Sequence, residues 1–225
     1  MKYNIRQTAA FTLLIVLFLQ VRLSAQEIAR TEYYAGMPFW ESPIVPFRGE
    51  YQITEEQAEK RINLKLDYDG RNRITQASVR LGNHLKSFEA FFGNLYINAP
   101  RTKVIYDERG SRHHFYDILG NRISVQTKVY EKRYETDKYG RNVRLTYLDR
   151  DGNQTEDQFG NRSFEWQYNA DGSVTELRLS KDGEIVPLRG DFEFLRTRIT
   201  FGPDGHVNQL QNIDESGQLV NAKCG

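Results

Sequence analysis

Clustered carboxylates, two adjacent histidines and one cysteine are the residues through which this chain could do chemistry. Asp149-Arg150-Asp151-Gly152-Asn153 opens like a calcium loop. A full loop needs glycine at its sixth position and a bidentate glutamate at its twelfth. Counted from Asp149, those positions hold Gln154 and Gly160, and Gly160 has no side chain to ligate. Asp-Gly between alternating segments is a hairpin signal, and that reading fits the string better. His113 and His114 are neighbours, so a strand would send them to opposite faces and they cannot share one metal ion alone. His84 and His206 stand isolated. The chain has no Gly-x-Ser-x-Gly elbow, no His-Glu-x-x-His and no phosphate loop. A glycosidase needs two carboxyl groups facing each other across a bond. Carboxylates abound here, but many sit at turn positions or beside Lys and Arg. The sequence therefore assigns no catalytic residue, no metal ligand and no cofactor, and it leaves the binding residues undetermined.

The elements that hold these residues are turns. Residues 106–217 repeat one signature: a short polar residue, two others, then Gly. The copies end at Gly110, Gly120, Gly140, Gly152, Gly160, Gly172, Gly183, Gly205 and Gly217. Three residues earlier stand Asp107, Asp117, Asp137, Asp149, Asp157, Asn169, Ser180, Gly202 and Asp214. An outlying copy runs from Asp67 to Gly70. Most neighbouring glycines lie 8 to 12 residues apart, and the gaps before Gly140 and Gly205 are near twice that. Asp, Asn or Ser opens a type I turn by accepting bonds from the backbone just ahead, and Gly closes it in the left-handed conformation. Each signature is thus expected to reverse the chain between two antiparallel strands. Gly140, Gly152, Gly172, Gly205 and Gly217 are expected at positive φ.

Alternation supports the strands. Ile62, Leu64, Leu66 and Tyr68 oppose Arg61, Asn63, Lys65 and Asp67. The same pattern runs through Ile123–Val129, Val143–Tyr147, Phe164–Tyr168 and Leu195–Phe201. One apolar and one polar face belong to antiparallel sheet with one side in water. Residues 173–180 slip phase, because Val174 and Leu177 fall on opposite faces, and a bulge near Thr175 would reconcile them. Residues 82–100, with Phe88, Phe91 and Phe92, read as an irregular insertion.

Residues 1–25 read as a secretory signal peptide: Lys2 and Arg6, then the apolar run Ala9–Leu19, then Ser24-Ala25 before Gln26. The run is short of the ~20 residues that span a bilayer. An uncleaved anchor is the alternative. Cleavage would leave 28 Lys+Arg (31 − 3) against 30 Asp+Glu, and that balance argues against a nucleic-acid binder. The basic cluster Arg109, Arg112, His113 and His114 is flanked by Asp107, Glu108 and Asp117 and reads as a solvated strand face. Cys224 stands alone as a terminal thiol able to cross-link two copies. Residues 26–60 read as an N-terminal extension. Its Pro38, Pro43 and Pro46 exclude a helix or central strand, so it is expected to lie extended over the sheet on Phe39, Trp40 and Phe47. A binding loop is the alternative. Thr54-Glu55-Glu56-Gln57 spells a capping box for a short helix over 55–60.

Tyr106-Asp107-Glu108-Arg109-Gly110 and Tyr116-Asp117-Ile118-Leu119-Gly120-Asn121 resemble the YD repeats of Rhs-type secreted proteins. Asp157-Gln158-Phe159-Gly160-Asn161-Arg162 keeps the Asp, the Gly and the following Asn. Asp137-Lys138-Tyr139-Gly140-Arg141 and Tyr168-Asn169-Ala170-Asp171-Gly172 are looser copies. The chain is similar as well to exported bacterial proteins built of such turns. The resemblance covers about half the chain and implies a β-rich repeat fold. It carries no catalytic residue across, because the shared residues form turns.

The expected fold is all-β: over 61–225, an antiparallel meander of repeated hairpins making an elongated twisted sheet, with a closed barrel or propeller as the alternative. The expected function is that of an exported, non-enzymatic binding or structural module of the cell envelope, periplasmic or extracellular, with a protein or glycan partner, no nucleic acid and no membrane span after cleavage. A carboxylate-dependent hydrolase of cell-surface glycan is the competing class. The oligomeric state is not legible.

Overall fold

The structure, a computed structural model, describes residues 27–37, 42–87, 99–190 and 192–221. The segment read as a signal peptide, the anchors Phe39 and Trp40, the phenylalanines at 88, 91 and 92, and Cys224 lie outside the described residues.

The chain builds one 13-stranded antiparallel sheet that does not close into a barrel. The first strands are β1 (Arg30–Gly36), β2 (Glu50–Ile53), β3 (Ile62–Tyr68), β4 (Ile74–Leu81) and the short β5 (His84–Leu85). Four hairpins follow: β6 (Arg101–Asp107) with β7 (Gly110–Tyr116), β8 (Glu131–Thr136) with β9 (Asn142–Leu148), β10 (Ser163–Tyr168) with β11 (Val174–Leu179), and β12 (Arg196–Phe201) with β13 (Val207–Asn212). The order across the sheet is β13-β12-β11-β10-β9-β8-β7-β6-β4-β3-β1-β2, with β5 beside β4. Helix α1 (Glu55–Lys60) is capped as its sequence spells: the Gln57 N–H donates to Thr54 Oγ1 at 3.3 Å and Gln57 Oε1 accepts from the Thr54 N–H at 2.9 Å. Among the described residues no helix is long and apolar enough to cross a membrane.

The turns carry the repeat. In the turn from Asp149, one carboxylate oxygen accepts from the N–H groups of Asp151 and Asn153, both at 2.9 Å. The backbone closes the same loop, Asp149 N–H to Asn153 O at 2.8 Å and Gly152 N–H to Asp149 O at 3.3 Å. Asp117, Asp137, Asp157 and Asp214 close their turns in the same way. A fifth position belongs to the signature, since the side chains of Asn121, Arg141, Asn153 and Asn161 reach back to the opening carboxylate. These bonds hold carboxyls below their usual range: the Asn121 amide does so first at Asp117, and the Asn153 backbone N–H first at Asp149. The upstream copy is displaced from its expected place. Asp69, not Asp67, opens that turn, and Asn72 at φ 60° takes the left-handed position instead of Gly70. Asp67 stays inside β3, with Thr31 donating to it at 2.7 Å.

Two kinds of turn alternate. Hairpin turns end at Gly110, Gly140, Gly172 and Gly205, and linking turns after each hairpin end at Gly120, Gly152, Gly183 and Gly217. Both series recur at about 32 residues, a spacing within the range of stacked repeats. The wide gaps span connections between hairpins, and the connection from β9 to β10 shows none because the extra turn Asp157–Gly160 divides it. After each linking turn the chain bridges back onto the strand it has left, at Tyr116↔Arg122, Leu148↔Gln154, Leu179↔Ile185 and Ile213↔Leu219. One expected strand is therefore absent: Ile123–Val129 is a connection closed by reciprocal Val125–Val129 bonds of 2.8 and 3.0 Å. Its alternation came from a link that buries Val125 and Val129.

Gly140, Gly152, Gly172, Gly205 and Gly217 take φ of 78°, 85°, 84°, 75° and 82° as expected. Around Gly152 a Cβ would meet nothing within 4 Å, so only the backbone conformation forbids a side chain there. Gly152→Val is expected to cost more than ~1 kcal/mol, because a β-branched residue is strained at such φ. Arg144→Thr removes only an exposed pair with Glu165 (2.9 Å), so its effect is expected to stay below ~1 kcal/mol. Thermal melts of the two variants separate turn architecture from surface charge, and equal melting temperatures would contradict it.

Alternation sends one face of the sheet inward. Phe115, Tyr134, Leu145, Tyr147, Phe164, Trp166, Val174 and Ile199 form the main cluster. Leu64, Leu66, Tyr68, Ala77, Val79 and Met37 form a second one at the N-terminal strands. Residues 42–48 cross the inner face as a strap with a turn at Pro43-Ile44. Tyr134 donates its hydroxyl to Pro43 O at 3.0 Å, the Asn142 amide donates to Ile44 O at 2.9 Å, and Arg48 donates to Asp204 O at 2.9 Å. The Phe47 ring stacks on His113 at 5.0 Å.

Candidate binding cleft on the inner face

Among the described residues, four buried ionisable side chains on β7, β8 and β11 occupy inner-face positions that alternation would give to apolar ones. Glu176 and Arg178 on β11 are fully buried and paired at 2.6 Å. The phase slip there is not a bulge: β10 and β11 pair without interruption from Ser163↔Leu179 to Tyr168↔Val174. Val174, Glu176 and Arg178 face inward and Leu177 faces outward. Glu176 also accepts from Trp166 Nε1 at 2.8 Å and from the Ser42 hydroxyl of the strap. Arg178 donates to Thr197 Oγ1 at 3.0 Å and to the Phe194 carbonyl. A buried pair is tolerable when its remaining donors and acceptors largely find partners; here they do except at Arg178 Nε, which has none among the described residues.

Lys132 on β8 is the third. Its ammonium lies over the Tyr147 and Phe115 rings at 5.5 and 5.8 Å. Burial pushes it down to about 7, against the attraction of Asp157. Burial pushes the Asp157 carboxyl up in turn, although the Asn161 and Phe159 N–H groups and Lys132 favour its charged form. Desolvation wins at both partners.

His113 is the fourth, which corrects the reading of a solvated basic face. Its neighbours Arg112 and His114 look outward, and His114 is paired with Glu131 at 2.9 Å. His113 packs between Phe47 and the Tyr134 ring, 4.6 Å away. Burial first, then Lys132 and His114, push its imidazole down to about 3. Ser111 Oγ lies 3.2 Å from His113 Nε2. The two resemble a nucleophile and its base, but an imidazole so hard to protonate is a poor base at neutral pH.

Between the two core clusters, beside the strap, the inner face opens into a cavity of about 490 Å³. Phe47, Tyr68, Tyr106 and His113 give it aromatic walls, with Arg73 and Asn142 at its polar end. Its polar groups are held in place. Arg73 makes two bonds to Asp69 Oδ2, at 2.8 and 3.0 Å, and lies 4.2 Å over the Tyr106 ring. Tyr106 donates to Ile74 O at 3.0 Å, and burial raises its phenol to about 12. A larger hollow of about 660 Å³ on the outer face is bordered by Asp107, Arg109, Arg112, Arg133 and Glu135. Its charged groups are largely solvated, and Arg112 is spent on Asp107 at 3.5 Å and Arg133 on Glu131 at 2.9 Å. The inner cleft has the character of a ligand site, with apolar walls and a few fixed polar atoms.

No candidate ligand set for a metal, of three or more His, Cys, Asp or Glu, exists among the described residues. The calcium-like string at Asp149 is a linking turn whose carboxylate is occupied by its own backbone. Asp157 alone among the shifted carboxyls is raised, and its oxygens accept bonds from Phe159 and Asn161. Of the cleft residues, only those of the strap fall in a segment for which the sequence offers a binding loop as an alternative; Phe47 reads first as a packing anchor and His113 as a surface residue. Compared with known proteins, the chain matches no family model, no curated protein and no solved structure.

Proposed function

We propose that this protein is an exported, non-enzymatic β-repeat module that binds a neutral glycan of the cell envelope in the inner-face cleft. The observation that carries the reading is the cleft wall itself: Phe47, Tyr68 and Tyr106 around polar groups that are already neutralised or hydrogen-bonded. Arg73 is matched by Asp69, and Asp107 by Arg112, so the cleft offers ring faces and amide groups rather than an unbalanced charge. Such walls suit a hydroxylated, uncharged ligand. The repeat resemblance and the leader-like N-terminus support an envelope location.

Calorimetric titration of the purified protein with soluble neutral envelope oligosaccharides tests this. Tyr106→Ala is expected to weaken binding at least tenfold, about 1.4 kcal/mol, with the melting transition still cooperative. Unchanged affinity in Tyr106→Ala, or no binding at all, would overturn the cleft. Cleavage of the oligosaccharide that one Asp or Glu substitution abolished would favour a hydrolase instead.

A further inference from the structure

We propose that two copies of this chain join edge to edge through β13, continuing the sheet across a two-fold axis. The inference rests on the repeat. After each linking turn the chain returns one hydrogen bond to the strand it has left: Ile123 N–H to Phe115 O, Thr155 N–H to Tyr147 O, Val186 N–H to Arg178 O and Val220 N–H to Asn212 O, each at 3.0 Å. In the first three repeats the stretch of strand just before that acceptor takes the next strand on its outer edge. Residues 111–114 take β8, 144–146 take β10, and 174–177 take β12. The corresponding stretch of the fourth repeat is 208–211. It has the same preparation, and β13 ends the sheet. Among the described residues nothing pairs with its outer edge.

The composition of this edge points the same way. Sheet edges are ordinarily guarded by charge, proline, shortness or a local twist. The opposite edge strand β2 is four residues long, begins at Glu50, and turns Tyr51 to φ 57°. Asn208-Gln209-Leu210-Gln211-Asn212 has no charge and no proline. Leu219 and Val220 beside it are 66% and 44% exposed, which leaves apolar surface at the rim. Among the described residues every ladder of this sheet is antiparallel, and a second β13 supplies another by symmetry. Self-pairing is isologous, so it closes at two copies and does not grow into a fibre.

Asn212 O points outward to Val220, so by the two-residue period of the strand Leu210 also turns its N–H and C=O outward. The matching register is centred on Gln209, which faces its own copy at a non-hydrogen-bonded position where side chains come close. Like charges placed there repel and opposite charges attract. The full chain carrying Cys224→Ser, so that no disulfide can mimic pairing, is measured by light scattering after size exclusion. The mass is expected to be that of two chains. Gln209→Lys and Gln209→Glu, each alone, are expected to shift it to one chain with unchanged circular dichroism, and mixing the two variants is expected to restore it. A single-chain mass for the parent, or a two-chain mass that either charged variant leaves intact, would overturn the proposal.

Discussion

Replacing Arg178 by methionine is expected to destabilise the protein by ~3–5 kcal/mol, among the largest effects of any single substitution here. The guanidinium is fully buried, so its removal strands the Glu176 carboxylate in a medium that cannot solvate it. Removing the partner charge as well should recover much of the loss. Glu176→Gln keeps an acceptor for Trp166 and Ser42, and the double variant leaves no buried ion at this site. Buried pairs replaced by neutral groups of similar volume are often close to neutral in stability, whereas broken pairs are not. Denaturant unfolding of the two single variants and the double variant gives the coupling. A double variant as unstable as Arg178→Met would show that the arginine matters through packing alone.

Acid should weaken the fold well above the range where carboxylates titrate, and His113 should be the cause. Its folded-state value is lowered to about 3 from an ordinary 6.5. The folded protein therefore refuses a proton that the unfolded chain accepts. Stability is intact above pH 6.5 and falls as pH drops through 6.5 toward 3. Between pH 6.5 and 4.5 the loss from this residue is expected to reach ~2–3 kcal/mol, since one pKa unit is worth about 1.4 kcal/mol. His114 acts in the same sense, and the raised Asp157 acts in the opposite one. The readout is accordingly the difference between the parent and His113→Phe, which keeps a ring between Phe47 and Tyr134. The variant's unfolding free energy should change less over this interval by that amount. Parallel pH profiles would mean that His113 is protonated in the fold without penalty.

The turns were legible in the sequence because a turn is chemistry over five consecutive residues. Asp149 finds every partner it needs within Asp151, Gly152 and Asn153. The strands were legible wherever one face was apolar, as in Phe164-Glu165-Trp166-Gln167-Tyr168. Reading failed where a partner far along the chain changed what a position can hold. Glu176 and Arg178 look like outward residues until Trp166, Thr197 and Ser42 are brought to them, so in the sequence Leu177 sets the phase of β11 and only a bulge reconciles it with Val174. Ile123–Val129 failed for the opposite reason. Its alternation is real, but burial under a connection selects apolar residues as a strand does. His113 was hidden by its exposed neighbours, although alternation with Phe115 already placed the two on one face. The cleft was not legible at all, because its walls come from the strap, the β3–β4 turn and two hairpins. Only the third dimension joins them.

The strap has a consequence for the order in which the molecule can form. Every contact between neighbouring strands of a hairpin is short in sequence, so the sheet can zip from any repeat outward with little chain entropy to overcome. Ser42 reaches Glu176 across 134 residues, and Arg48 reaches Asp204 across 156. Those contacts cannot exist until β11 and the last hairpin are in place. The strap, which precedes β2 to β13 in the chain, is thus among the last segments to find its seat. Until then the inner face, with Trp166, Tyr134 and Glu176, stands open to water and to other chains. A molecule assembled from local pieces in this way is given its long-range cooperativity by the few residues of the strap.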